Sequence, residues 1–315
     1  MNSVRAIVIL ALFCMQLTGV MNAHAQGRKM EGDIESVQVR DNIYMFVMEP
    51  AGNVGVSVGE DGVALVDDQF APMTERIQIA VAELTDKPIR YVFNTHWHGD
   101  HTGSNQNFGK QGPIIVAHDN VRQRMSAEQF HLFFKARSPA SPPEALPVIT
   151  FNDTMTFYFN GDVIEVVHMP NAHTDGDSVF HFRNVDVIHT GDVFINRGYP
   201  LIDIASDGSI QGQITATNRL LDMMGPDTIV IPGHGPLADK ARVLAIRDML
   251  VTARMSVAEL ISQGKTLDEI IAAKPLAELD PEWGQGFVRA KYFVRIIYQS
   301  ETGDWEKPEG MPLVP

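Results

Sequence analysis

Cysteine is nearly missing from this 315-residue chain: Cys14 is its only one. It falls inside the apolar run Ala6–Val20, which follows a short start, Met1–Arg5, with a single basic side chain. The run is too short for a comfortable membrane span. Ala23-His24-Ala25 matches a small-x-small cleavage site, so residues 1–25 read as a signal peptide and the mature chain starts near Gln26. Cys14 does not follow a lipobox, so no lipid anchor is expected. The mature chain would hold no thiol, hence no disulfide and no cysteine ligand or nucleophile. Export to a periplasm is the expectation, with no stable membrane insertion after cleavage. Basic charge is also scarce: 25 Lys and Arg stand against 39 Asp and Glu, a formal net charge of -14. Phosphate binding needs a basic stripe, so nucleic acid is excluded as a partner. No low-complexity tract and no Gly-rich phosphate loop occurs, and the one loop-like stretch is Ser138–Pro143.

Histidine is where the chain is rich. Three of eleven fall in His96-Trp97-His98-Gly99-Asp100-His101. Ile89–Phe93, just upstream, is an apolar, β-prone run that predicts a buried strand. On an extended segment, residues two apart point the same way, so His96, His98 and Asp100 can converge on one spot. His101 lies off that register and would face a second spot as a helix begins near Thr102. Imidazoles with a carboxylate suit a borderline cation such as zinc.

This window resembles the signature of the metallo-β-lactamase superfamily. Further pieces follow in the order that family needs. His173 lies in Pro170–Asp177, Asp192 follows Val187–Gly191, and His234 sits in Pro232-Gly233-His234-Gly235. The resemblance covers about residues 32–240. It implies two zinc ions per chain. His96, His98 and His173 would hold one; Asp100, His101 and His234 the other, with Asp192 between them. Asp67 would orient a metal histidine from behind. A cysteine on the second zinc, common in class B β-lactamases, is missing. An oxygen ligand at Asp192 instead looks like the hydrolase branches, glyoxalase II among them. His98 stands where the di-iron branch has Glu, which favours zinc.

The implied function is a zinc-dependent hydrolase of a small-molecule substrate, with metal-bound hydroxide attacking a carbonyl or phosphorus ester or amide and Asp100 as the catalytic carboxylate. β-Lactam hydrolysis, hence antibiotic breakdown, is one form. A thioester, lactone or phosphoester hydrolase of glyoxalase II type is the alternative. A non-catalytic metal-binding accessory protein is a third reading.

Periodicity predicts strands at 35–40, 43–48, 53–58, 63–67, 89–94 and 113–117, then near 149–158, 162–168, 178–183, 186–190 and 228–232. Helices are expected at 72–85, 119–134, 209–223 and 237–263. Thr266-Leu267-Asp268-Glu269 forms a capping box opening another, and a last one covers 287–298. This order is consistent with two sheets packed together and helices outside. The resemblance makes the fold class α/β (α+β), a four-layer αβ/βα sandwich. Residues 26–315 would be one domain with its core at about 32–240 and a helical extension at 241–315. His118, His131, His168, His181 and His189 stand outside the motif and read as ordinary packing residues. Trp97 and the apolar set Met125, Phe130, Phe133 and Phe134 read either as packing or as a cleft lip.

Overall fold

Strands buried on both faces must sit inside a sheet, and β3 (Val54–Gly59) and β4 (Gly62–Val66) are such strands, followed in parallel by β5 (Ile89–Phe93) and β6 (Ile114–His118). The computed structural model describes residues 34–48 and 51–307, and the expected signal peptide lies outside the described residues. Before β3 come β1 (Glu35–Arg40) and β2 (Ile43–Val47), which continue the sheet as an antiparallel meander. At the other edge β9 (Ile149–Phe151) pairs in parallel with β6 and completes seven strands in the order β1-β2-β3-β4-β5-β6-β9. A second sheet runs β10 (Thr154–Phe159), β11 (Asp162–His168), β12 (Ser178–Phe182), β13 (Val187–His189) and β14 (Ile229–Ile231). Only its last pair is parallel.

Parallel neighbours need long crossovers, and the helices supply them. Helix α1 (Thr74–Leu84) joins β4 to β5. The short α2 (Gly99–Thr102) and α3 (Asn105–Gln111) join β5 to β6, and α4 (Asp119–Met125) leaves β6. Helix α5 (Ile210–Met223) joins β13 to β14. The tail adds α6 (Lys240–Ser262), α7 (Leu267–Ala273), α8 (Asp280–Trp283) and α9 (Ala290–Thr302). One core fills the space between the sheets, where Phe93 of the first sheet meets Phe180 and Phe157 of the second at ring separations of 5.4 and 5.2 Å. Each such ring contributes about 1.5–3 kcal/mol on burial. Another core lies on the far face of the second sheet and joins Val230 and Ile188 to Leu220 of α5, Leu250 of α6 and Phe293 of α9. The tail helices therefore share a core with the second sheet.

Most of the expected elements are present, with four corrections. The helix expected at 119–134 stops at Met125. Ser126 N–H closes it against Arg122 O, and the Gln129 amide donates to Arg124 O. The chain then forms a hairpin, β7 (Gln129–His131) and β8 (Ala136–Ser138), so Met125 and the Phe130–Phe134 set do not share one helix face. The strand expected at 149–158 is two strands, one in each sheet. Its break at Asn152-Asp153 is held by His118 Nε2–H on Asn152 O and His168 N–H on Asp153 O. The helix expected from 237 starts at Lys240 under an Asp239 cap, because Ala238 still pairs with Val230. The helix expected from Phe287 starts at Ala290, because Val288 pairs with Tyr199. The capping box at Thr266 is present on both sides.

Candidate metal centre

The carboxyl ends of parallel strands, where open α/β sheets bind ligands, carry most of the candidate residues. Asp67 directly follows β4, the histidine window follows β5, Asp192 follows β13 and His234 follows β14. His173 comes from the β11–β12 loop. The window is not extended through Asp100. Residues after Phe93 leave the strand, and α2 begins at Gly99, one turn of helix that carries both Asp100 and His101. The alternate-residue grouping is therefore corrected: Asp100 goes with His101, not with His96 and His98. Among the described residues, three groups have ligand atoms within 4.8 Å of one another: His96, His98 and His173; His96, His101 and Asp192; Asp100, His101 and His234.

In the first group every imidazole has its outer nitrogen tied down. His173 Nδ1–H donates to Leu201 O at 2.7 Å. His98 Nε2–H donates to Asp203 Oδ2 at 3.0 Å. Thr95 Oγ1 gives its proton to Asp67 Oδ2 at 2.8 Å, so it accepts from His96 Nδ1–H at 3.0 Å. The inner nitrogens are left with lone pairs. His96 Nε2 is buried without a hydrogen bond, and His173 Nε2 faces His98 Nδ1 at 2.9 Å. Burial, helped by neighbouring His101, His173 and His98, holds His96 well below the ordinary imidazole range. Burial likewise brings His173 down to about 4 against the pull of Asp192. Imidazole nitrogens converging on one point suit a cation.

The second group is charged. His101 Nδ1–H donates to Asp67 Oδ2 at 2.7 Å, which turns Nε2 toward Asp100 at 3.6 Å and Asp192 at 3.4 Å. His234 Nε2 lies 3.3 Å from Asp100 Oδ2 and 3.5 Å from Asp192 Oδ1. The other Asp192 oxygen is 3.7 Å from His173 Nε2, so this carboxylate touches both groups. Burial opposes charge here but loses. Asp100, Asp192 and Asp67 raise His101 well above its usual value, and Asp192 and Asp100 raise His234 to about 10. In return His101 and His234 hold Asp100 below the usual carboxylate range against its burial. His101 Nε2 and Asp192 Oδ1 are buried, make no hydrogen bond and face each other at ion-pair distance, 3.4 Å. The donor set fits metal ions in both positions.

The backbone around these groups leaves no slack. A side chain at Gly233 would reach within 2.0 Å of Asp192 Oδ1, and one at Gly52 within 2.5 Å of the His101 ring. Asp67 sits at φ 66 and accepts from Thr95 N–H, Thr95 Oγ1–H and His101 Nδ1–H. Asp177 caps its own loop by accepting from the His173 and Thr174 amides. Asp175 holds the Arg124 guanidinium through two oxygens. His118 and His168 stack on each other at 3.7 Å and bond to backbone carbonyls. Trp97 is buried and donates Nε1–H to Ser206 Oγ.

Sequence reading missed two supporting residues. Asp203 accepts from His98 through its side chain and from Ser206 Oγ, while its backbone N–H donates to His173 O. Asn53 donates Nδ2–H to Pro232 O and Gly235 O, clamping both sides of the His234 turn. Neither belongs to a motif, and both partners are far off in the chain. Only the fold could reveal them.

Residues 48–234 match the family model of the metallo-beta-lactamase superfamily. The chain belongs to that superfamily. This places it among metallo-hydrolases whose fold carries His/Asp clusters suited to metal ions. The metallo-beta-lactamase from Pontibacter korlensis superposes with a TM-score of 0.56 at 17% identity, over 69% of this chain and 99% of that one, a likeness of fold. Lactamase-like protein aptB of Emericella nidulans is 28% identical over 148 residues, 47% of this chain and 41% of that protein. A probable hydroxyacylglutathione hydrolase of Schizosaccharomyces pombe is 24% identical over 148 residues, 46% of this chain and 48% of that protein. The superfamily chain thus spans less than half the length of these two curated relatives.

Proposed function

We propose that the protein is a dinuclear zinc hydrolase, with His96, His98 and His173 on one ion, Asp100, His101 and His234 on the other, and Asp192 shared. The observation that carries this is the set of buried ligand atoms that make no hydrogen bond, His96 Nε2, His101 Nε2 and Asp192 Oδ1, gathered where the three donor groups meet. Zinc when bound lowers the pKa of water to roughly 7 and neutralises charge developing on a reacting oxygen. The chain's own part is orientation and proton handling. Asp67, Asp203 and Leu201 O fix three imidazoles by their outer nitrogens. Asp100, whose side chain is 27% exposed, is the accessible carboxylate of the centre and takes the proton released when water attacks. The substrate is a small molecule with a carbonyl or phosphorus ester or amide.

The second reading, a thioester, lactone or phosphoester hydrolase of glyoxalase II type, is favoured over a β-lactamase by two observations. The second position has an all-oxygen-and-imidazole donor set, and Lys240 is spent on Met224 O at 2.6 Å rather than free to hold a substrate carboxylate. A hydrolysis screen on zinc-loaded protein, covering cephalosporins, thioesters, lactones and phosphodiesters, decides between them. Turnover of one class that is lost with a chelator and restored with zinc supports the hydrolase. No turnover of any class beside full metal loading favours an accessory metal-binding protein. We also propose a periplasmic location. Among the described residues no helix is long and apolar enough to cross a membrane. Intact-mass analysis of periplasmic protein should give a chain starting within a residue or two of Gln26; a mass that keeps Met1–Ala25 contradicts cleavage.

A further inference from the structure

Ring contacts continue outward from the metal centre. The His131 ring of the β7–β8 hairpin lies 6.1 Å from that of His98 and 5.0 Å from Trp97. Phe134, in the hairpin turn, is 6.4 Å from His131. Beyond it, Phe287 approaches Phe134 at 6.1 Å and Phe133 at 5.4 Å, and Tyr292 of α9 approaches Phe133 at 5.5 Å. Two segments far apart in sequence thus meet ring to ring, and the line they form begins at a metal-ligand candidate.

Anchoring the hairpin explains part of this. Leu132 and Phe133 are half-buried and pack on the core of the tail helices. It does not explain Phe134, which is 56% exposed, or Phe287, which is 64% exposed. Contiguous exposed rings are the kind of surface that binding uses. An occupant that reached the metal centre would pass His131 first and these rings next, so continuity with His98 points to one occupant.

We propose that His131, Phe134 and Phe287 form the wall for an apolar arm of the substrate, so that the site selects esters, thioesters or amides with an aromatic or alkyl arm over short ones. The proposal rests on the metallo-hydrolase reading. It makes Phe134 and Phe287 specificity-determining residues, supplied jointly by the hairpin and the C-terminal segment. Burying a phenyl ring against the wall is worth roughly a tenfold gain in affinity or more.

The test uses two thiols as probes on the cobalt-substituted protein. Cobalt absorption reports metal loading, and a new thiolate band on titration reports binding at the metal. Wild-type protein should bind 2-phenylethanethiol about tenfold or more tightly than ethanethiol. Phe134→Ala with Phe287→Ala should bring that ratio to within about twofold of one, Phe287→Leu should keep part of it, and Met255→Ala, an exposed apolar change on α6, should keep all of it. A wild-type ratio near one, or a ratio unchanged in the double variant, overturns the wall while leaving the metal centre standing. Sedimentation showing a dimer that the double variant dissolves also overturns it, since a second copy then covers the rings. If the protein takes up no cobalt, the metal reading fails and the wall falls with it; cobalt bound with no band from either thiol overturns the wall alone.

Discussion

Around His96, His98 and His173, each outer nitrogen is tied to a fixed oxygen, and burial holds His96 and His173 below the ordinary imidazole range. Around Asp100, His101 and His234, two carboxylates pull two imidazoles toward protonation, and His234 rises to about 10. The two positions share Asp192 and lie side by side, yet they are prepared differently. The first offers lone pairs already bare. The second is a mutually neutralising set of charges that must shed protons before it can hold a cation. This teaches that one centre can be half preorganised for binding and half poised for proton traffic, the half that contains Asp100.

The largest effect should come from breaking the bare half. His173→Ala removes one of three imidazoles with none to spare, so metal analysis should show the first position empty, with turnover down at least ~10²-fold. His168→Ala is the control: five residues upstream and stacked on His118, it should keep the full metal content. Metal loss in the control with retention in His173→Ala would reverse the assignment.

Next is the charged half. Asp100→Asn keeps the shape but loses the negative charge and the proton acceptor, and should lower turnover about 10²–10⁴-fold with little change in melting temperature. Turnover near wild type would remove Asp100 from the chemistry.

A smaller effect sharpens the contrast. Asp203→Ala frees His98 Nε2, and the metal affinity of the first position should drop about 10–100-fold while the second is unchanged. Equal losses at both positions, measured by chelator competition, would mean that the two are not independently supported.

The gentlest probe is pH. At the second position each metal ion displaces a proton from His234 below about pH 10, so affinity should fall roughly tenfold per pH unit per proton as pH drops. His173, brought down to about 4, is already bare at neutral pH, so the first position should respond far less. The sign for metal-free stability is opposite. The raised His234 contributes stability that is full below the unfolded imidazole value of ~6.5 and is lost as pH rises through about 10. Parallel pH slopes at both positions would erase the distinction.

The histidine window was legible because its ligands fall within six residues, next to a buried strand, where spacing and residue type carry the message together. Asp192 and His234 are legible only as a set, each after its own short strand. Asp203 and Asn53 were invisible because their roles are hydrogen bonds to partners that only tertiary folding brings near. The helix expected at 119–134 failed because a side-chain amide, Gln129 on Arg124 O, competes with continued helix, and apolar spacing does not register that competition. The strand expected at 149–158 failed because the β-poor pair Asn152-Asp153 inside it was read through, although the chain changes sheets there.

Metal content of zinc-replete protein tests the central claim most directly. Two clusters prepared as described predict about two zinc ions per chain, bound through nitrogen and oxygen alone, so the cobalt form should lack a thiolate band until a thiol is added. One zinc or fewer per chain, or a thiolate band in the thiol-free cobalt form, would contradict the paired centre.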